Sequence, residues 1–179
     1  CLISNAVIDA NYIRQEAQEG RMAYRLMAIV AEGNRGRAYL SPDQQHEEIA
    51  GTAKPTWKSD LKVTTPCHDI DRLPMYGMST WGDAFTPRQL VALSTFCDLA
   101  ALVRDRVCAD AVKLRFAEDE IGLDQGGNGA KAYAEAVSVY LSFIIDKMSD
   151  LGNSLCRWEP IAQCPRQLFG RQAIPMVWD

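Results

Sequence analysis

The chain has 179 residues, 47% of them hydrophobic and 23% charged, with a formal net charge of −4. That length suits one domain with a sizeable core, and the acidic balance excludes an overall electrostatic attraction to nucleic acid while leaving room for a local basic patch. Apolar runs are too short to cross a bilayer, so no membrane is expected among the partners.

In chain order, Asp9 is placed to cap a short helix over Ala10 to Gly20. Arg25 to Ala31 reads as a strand, Glu32 to Gly36 supplies turn residues, and Arg37 to Leu40 returns as a second strand of a β-hairpin. Ser41-Pro42 reads as the start of a helix that ends near Ala50, with serine as cap and proline in the first turn. From Gly51 to Tyr76 no period persists; three prolines and two Ser/Thr clusters describe an extended connection across the surface, with one short strand near Leu61 to Val63.

Thr86-Pro87-Arg88-Gln89 spells a capping box with proline at the first helical position. Leu90, Leu93, Cys97, Ala100, Val107 and Leu114 follow at helical spacing, widened by Phe96, Leu99 and Val103. The helix is expected over Pro87 to Phe116, about 45 Å at 1.5 Å per residue. After an acidic, glycine-rich break, a second helix is expected from Gly129 to Leu151, ended by Gly152-Asn153. Two such helices across a short loop should lie antiparallel. The tail from Ser154 reads as irregular, with one short helix near Arg166 to Ala173.

The expected fold is therefore mainly α (α+β), a single domain over 1–179. Within it, 1–50 holds a helix, a small N-terminal β-hairpin and a short helix, 51–85 the extended connection, 86–152 the antiparallel pair of long helices, and 153–179 the irregular tail. Because the chain opens on Cys1 rather than methionine, it reads as a piece of a larger protein.

Few residues suggest chemistry. The six cysteines are irregularly spaced without a Cys-x-x-Cys pair, which reads as reduced thiols in the cytoplasm rather than a disulfide framework. Cys67-His68 would be a thiol and base, but sequence neighbours in an extended chain point apart. His46 lacks the second histidine of a zinc-protease helix, and neither glycine cluster fits a phosphate loop. Asp83, just before a helix start, reads as a structural cap. The arginines carry more. Arg35 and Arg37 sit at the first hairpin, and Arg157, Arg166 and Arg171 lie in the tail with Trp158 interleaved. Guanidinium groups among aromatics suit phosphates and unstacked bases; salt bridges to the chain's acids are the plainer explanation.

Several segments in one order resemble a known family. They include Tyr12-Ile13-Arg14, Gly20-Arg21-Met22, the run Arg25 to Gly33, and Gly36-Arg37-Ala38-Tyr39-Leu40. Tyr76-Gly77-Met78, Thr80-Trp81-Gly82-Asp83 and Phe85 to Leu90 follow. Tyr133 to Val137, Ser154-Leu155-Cys156-Arg157-Trp158 and the ending Phe169 to Asp179 complete the set. Together they resemble the prokaryotic adenine-specific DNA methylases that contain a zinc ribbon and begin with a domain of unknown function. The resemblance implies a parent enzyme that moves a methyl group from S-adenosylmethionine to the adenine amine in DNA. It places this chain between the cofactor loop and the Asp-Pro-Pro-Tyr motif, neither of which it contains. No catalytic or cofactor-binding residue is therefore carried over, and no cofactor is expected in this piece; S-adenosylmethionine and zinc are implied for the parent alone. Cys1 matches the last cysteine of the ribbon, a remnant zinc ligand. The expected function is a non-catalytic segment that engages DNA or scaffolds the catalytic domain of the same parent chain. The alternative is a protein-interaction or oligomerisation module with no nucleic-acid role, which predicts an exposed apolar face on the long helices.

Overall fold

A computed structural model describes residues 5–64 and 73–166. The fold is mainly α with two small β-hairpins. Helix α1 covers Ala10–Gln18, and Asp9 caps it by accepting from the Tyr12 amide at 2.8 Å. It stops short of Gly20, which takes a left-handed conformation at φ 71°. Strands β1 (Ile29–Gly33) and β2 (Gly36–Leu40) pair antiparallel, Ile29 against Leu40 and Gly33 against Gly36. The first strand thus begins four residues later than its apolar run suggests and extends into the expected turn. Gly33 opposite Gly36 closes a two-residue loop at Asn34-Arg35, and that tight closure sets the register.

Helix α2 is Gln44–Gly51. Its cap is Asp43, not Ser41. The Asp43 carboxylate accepts from the His46 amide at 2.9 Å while His46 Nδ1 accepts from the Asp43 amide at 3.3 Å. A reciprocal pair outcompetes a lone hydroxyl two residues earlier.

The expected surface connection is the largest correction. Its second half holds the core. Backbone bonds from Val63 to Ser79 and from Trp81 to Leu61 draw two stretches of it together around the Lys62–Thr80 bridge. Two short 3-10 turns follow, Leu73–Tyr76 and Trp81–Ala84. Leu73, Met78 and Ala84 are buried, with Val63, Phe85 and Leu155 packed against them. Buried Ala17 of α1 lies against Gly77, where an added Cβ would run into the Ala17 carbonyl.

Helices α3 (Pro87–Lys113) and α4 (Ala130–Leu151) form the expected antiparallel pair. The α3 cap is as written in the sequence: Thr86 Oγ1 accepts from the Gln89 amide at 3.2 Å, and Gln89 Oε1 accepts from the Thr86 amide at 2.9 Å. The helix ends three residues before Phe116, because Arg115 turns to φ 67°. At the tip the Ala130 amide donates to Ala117 at 2.9 Å, and the Phe116 and Tyr133 rings meet at 5.1 Å. At the base the Ser154 amide and hydroxyl both donate to the Ala84 carbonyl, each at 2.7 Å. The pair is clamped at both ends.

Only part of the expected α3 stripe is covered. Leu90 and Ala111 are buried, and Leu93, Ala100 and Val107 half-buried. Phe96, Cys97, Leu99, Val103 and Leu114 are exposed, since α4 alone cannot cover a stripe wider than one helix. The tail is not irregular where described. Strands β3 (Arg157–Glu159) and β4 (Cys164–Arg166) form a second antiparallel hairpin, so Arg166 is in a strand. The rest of the helix expected near Arg166 to Ala173 lies outside the described residues.

Candidate nucleic-acid interface

The two hairpins meet, so the segments that carry the two arginine groups adjoin. The Arg37 amide donates to Gln163 Oε1 at 3.1 Å. The Trp158 indole donates to Tyr39 Oη at 3.0 Å, with the two rings edge to face at 6.1 Å. Arg35 stands at the tip of the first hairpin, and Arg35, Arg37 and Arg166 are exposed. Arg157 is half-buried and pairs with Glu159 at 3.1 Å. The β3–β4 register sets Arg157 directly opposite Arg166, and the β1–β2 register sets Arg37 opposite Glu32. Like charges directly opposite on a hairpin repel, and the Arg157–Glu159 ion pair offsets part of that cost. The Arg157 Nε is also buried without a hydrogen-bond partner.

Trp158 is therefore committed to Tyr39 and is not an open stacking platform; the exposed aromatic face in this unit is that of Tyr39. Sequence reasoning missed Tyr39 and Gln163. Neither carries a local signal, because each acts through a partner more than a hundred positions away. Cys1 and Arg171, and likewise Cys67 and His68, lie outside the described residues.

The Thr80-Trp81-Gly82-Asp83 segment is structural. Asp83 accepts from the Thr80 amide at 2.8 Å, from the Thr80 hydroxyl at 2.9 Å and from Lys58 Nζ at 2.5 Å. Burial pushes its carboxyl up, but these donors outweigh burial and hold it below the ordinary carboxylate value. Gly82 admits the backbone of Ser59 so closely that a Cβ would meet its carbonyl. Trp81, Leu73, Phe85 and Leu155 line an open cleft of about 580 Å³, with Asp150 and Asn153 at its polar side.

Cys97, Cys108, Cys156 and Cys164 are free thiols. Burial pushes the Cys156 thiol up, and its Sγ donates to the Asp150 carbonyl at 3.2 Å, which suits a packed thiol rather than a nucleophile. No three His, Cys, Asp or Glu side chains stand close enough to share a metal among the described residues. No helix among them is long and apolar enough to cross a membrane. Comparisons with protein-family models, with curated proteins and with solved structures found no match.

Proposed function

We propose that this chain is a non-catalytic segment of a larger S-adenosylmethionine-dependent DNA adenine methyltransferase, in which the two-hairpin unit contacts the DNA backbone. The observation that carries the reading is the contact between two hairpins that bear the exposed Arg35, Arg37 and Arg166, with Glu32 and Glu159 the acids within their strands and Glu159 already paired with Arg157. The exposed guanidinium groups of Arg35, Arg37 and Arg166, with an exposed tyrosine ring nearby, supply local phosphate-binding groups on a chain that is acidic overall. The helix pair then serves as the scaffold that presents this unit beside the catalytic domain of the same polypeptide, in the cytoplasm where that substrate resides.

S-adenosylmethionine and zinc enter this reading only through other parts of the parent. Among the described residues no three His, Cys, Asp or Glu side chains stand together, and the sequence has no Gly-x-Gly after an apolar strand, so no step is routed through either group.

Fluorescence anisotropy with a short DNA duplex tests the reading. We expect weak binding at low salt that falls steeply as salt rises. A variant carrying Arg35→Ala, Arg37→Ala and Arg166→Ala should bind at least tenfold more weakly, and its log–log salt slope should be shallower by about 0.9 for each phosphate that is no longer neutralised. Absence of binding by the wild-type chain at low salt would refute direct contact. An unchanged slope in the triple variant would move the contact elsewhere on the surface.

A further inference from the structure

One side of the helix pair carries a run of exposed apolar side chains near its middle. At 100° per residue, the covered stripes of α3 (Leu93, Ala100, Val107) and α4 (Val137, Leu141, Met148) point at each other. About a third of a turn to one side lie Ser94 and Asp105 on α3, with Lys131 and Ser142 on α4. A quarter turn to the other side lie Phe96, Leu99 and Val103 on α3, with Tyr140, Phe143 and Ile144 on α4. Tyr140 is 72% exposed, Phe143 62% and Ile144 57%, and all three α3 side chains are exposed as well. The uncovered area of these six is on the order of 700 Å², close to what each partner gives to a standard stable interface.

The clamps at the two ends fix how the helices stand beside each other. Ser154 at Ala84 and Ala130 at Ala117 set Val103 abreast of Tyr140 and Leu99 abreast of Ile144. The apolar segments of the two helices therefore occupy the same stretch of the hairpin's length. A twofold axis running along the hairpin, in the plane of this face, lays α3 of one copy on α4 of another. The helices then cross antiparallel, and each apolar segment lands on its equal, with Val103 against Tyr140 of the second copy. No charged side chain intervenes between Phe96 and Val103 on this side of α3, and the charges on this face border the apolar segment instead of dividing it: Lys147 beside Phe96 at one end, and the Arg106–Asp110 pair beyond Val103 at the other.

We propose that a second copy of this chain covers this face, giving a four-helix bundle with α3 of each copy seated on α4 of the other. The proposal is independent of the DNA reading, because the arginine-bearing hairpins lie outside the helix pair.

Sedimentation equilibrium on the 179-residue chain reads the outcome. The expected mass is twice that of one chain. The variants Leu99→Glu and Tyr140→Glu should each return the single-chain mass while keeping the wild-type circular dichroism, since both side chains are already solvent-exposed. Under mild oxidation the double variant Val103→Cys/Tyr140→Cys should form a covalent dimer, and each single variant should match the background from native cysteines. A single-chain mass at all concentrations would overturn the proposal. So would a covalent dimer formed equally by the single variants, which would mean a different face or axis.

Discussion

Asp83 and Gly77 show how single side chains hold the irregular half of this protein. Asp83 reaches back 25 positions to Lys58 and also holds Thr80. Its carboxyl is held below the ordinary value, so it contributes stability fully above the unfolded value near 3.8, and loses it as pH falls through the lower folded value. Asp83→Asn should therefore destabilise by about 1.5 kcal/mol at neutral pH, where charged hydrogen bonds are lost. The gap to wild type should shrink toward about pH 3, below the unfolded value, which urea titrations at the two pH values will read. Gly77 has φ 75° and abuts the Ala17 carbonyl, so Gly77→Ala adds both backbone strain and a clash. We expect a loss of about 2 kcal/mol or more in the same titration. At Gly126, with a similar φ of 76° but open space around it, alanine should cost only the strain.

At the scale of elements, two capping boxes of the same chemistry sit in opposite surroundings. Thr86 and Gln89 are buried at the foot of α3, whereas Asp43 and His46 are exposed at the start of α2. Thr86→Ala strands a buried amide and should cost about 2 kcal/mol, the upper end for a cap. Asp43→Ala leaves the His46 amide to water and should cost clearly less than Thr86→Ala. Thermal unfolding of the two variants side by side checks the contrast; equal losses would mean that the α3 foot is more hydrated than its burial indicates. These boxes also show what is legible locally. Thr86-Pro87-Arg88-Gln89 names its own helix start because both hydrogen bonds close within four residues. Ser41-Pro42 suggests a start too, but loses to Asp43 because only Asp43 has a reciprocal partner three residues on.

Across the whole molecule, the core lies where one end of the helix pair meets the segment Leu73 to Phe85. Asn153 and Ser154 join them: Asn153 Nδ2 closes the end of α4 on the Ser149 and Asp150 carbonyls, and Ser154 donates twice to Ala84. Much of Tyr76 to Leu90, with Ser154 to Trp158, is thus engaged in building this junction. The amino-acid sequence by itself determined the helix pair, its capped start and the first hairpin, because those features follow from periodicity and from bonds that close within a few residues. Only the tertiary structure decided that a proline-rich connection would become the core and that two hairpins distant in sequence would meet. It likewise decided that half of the α3 stripe would face solvent. Each of these depends on which surfaces meet across long stretches of chain, and side-chain spacing along one helix or strand carries no information about what, if anything, will cover it.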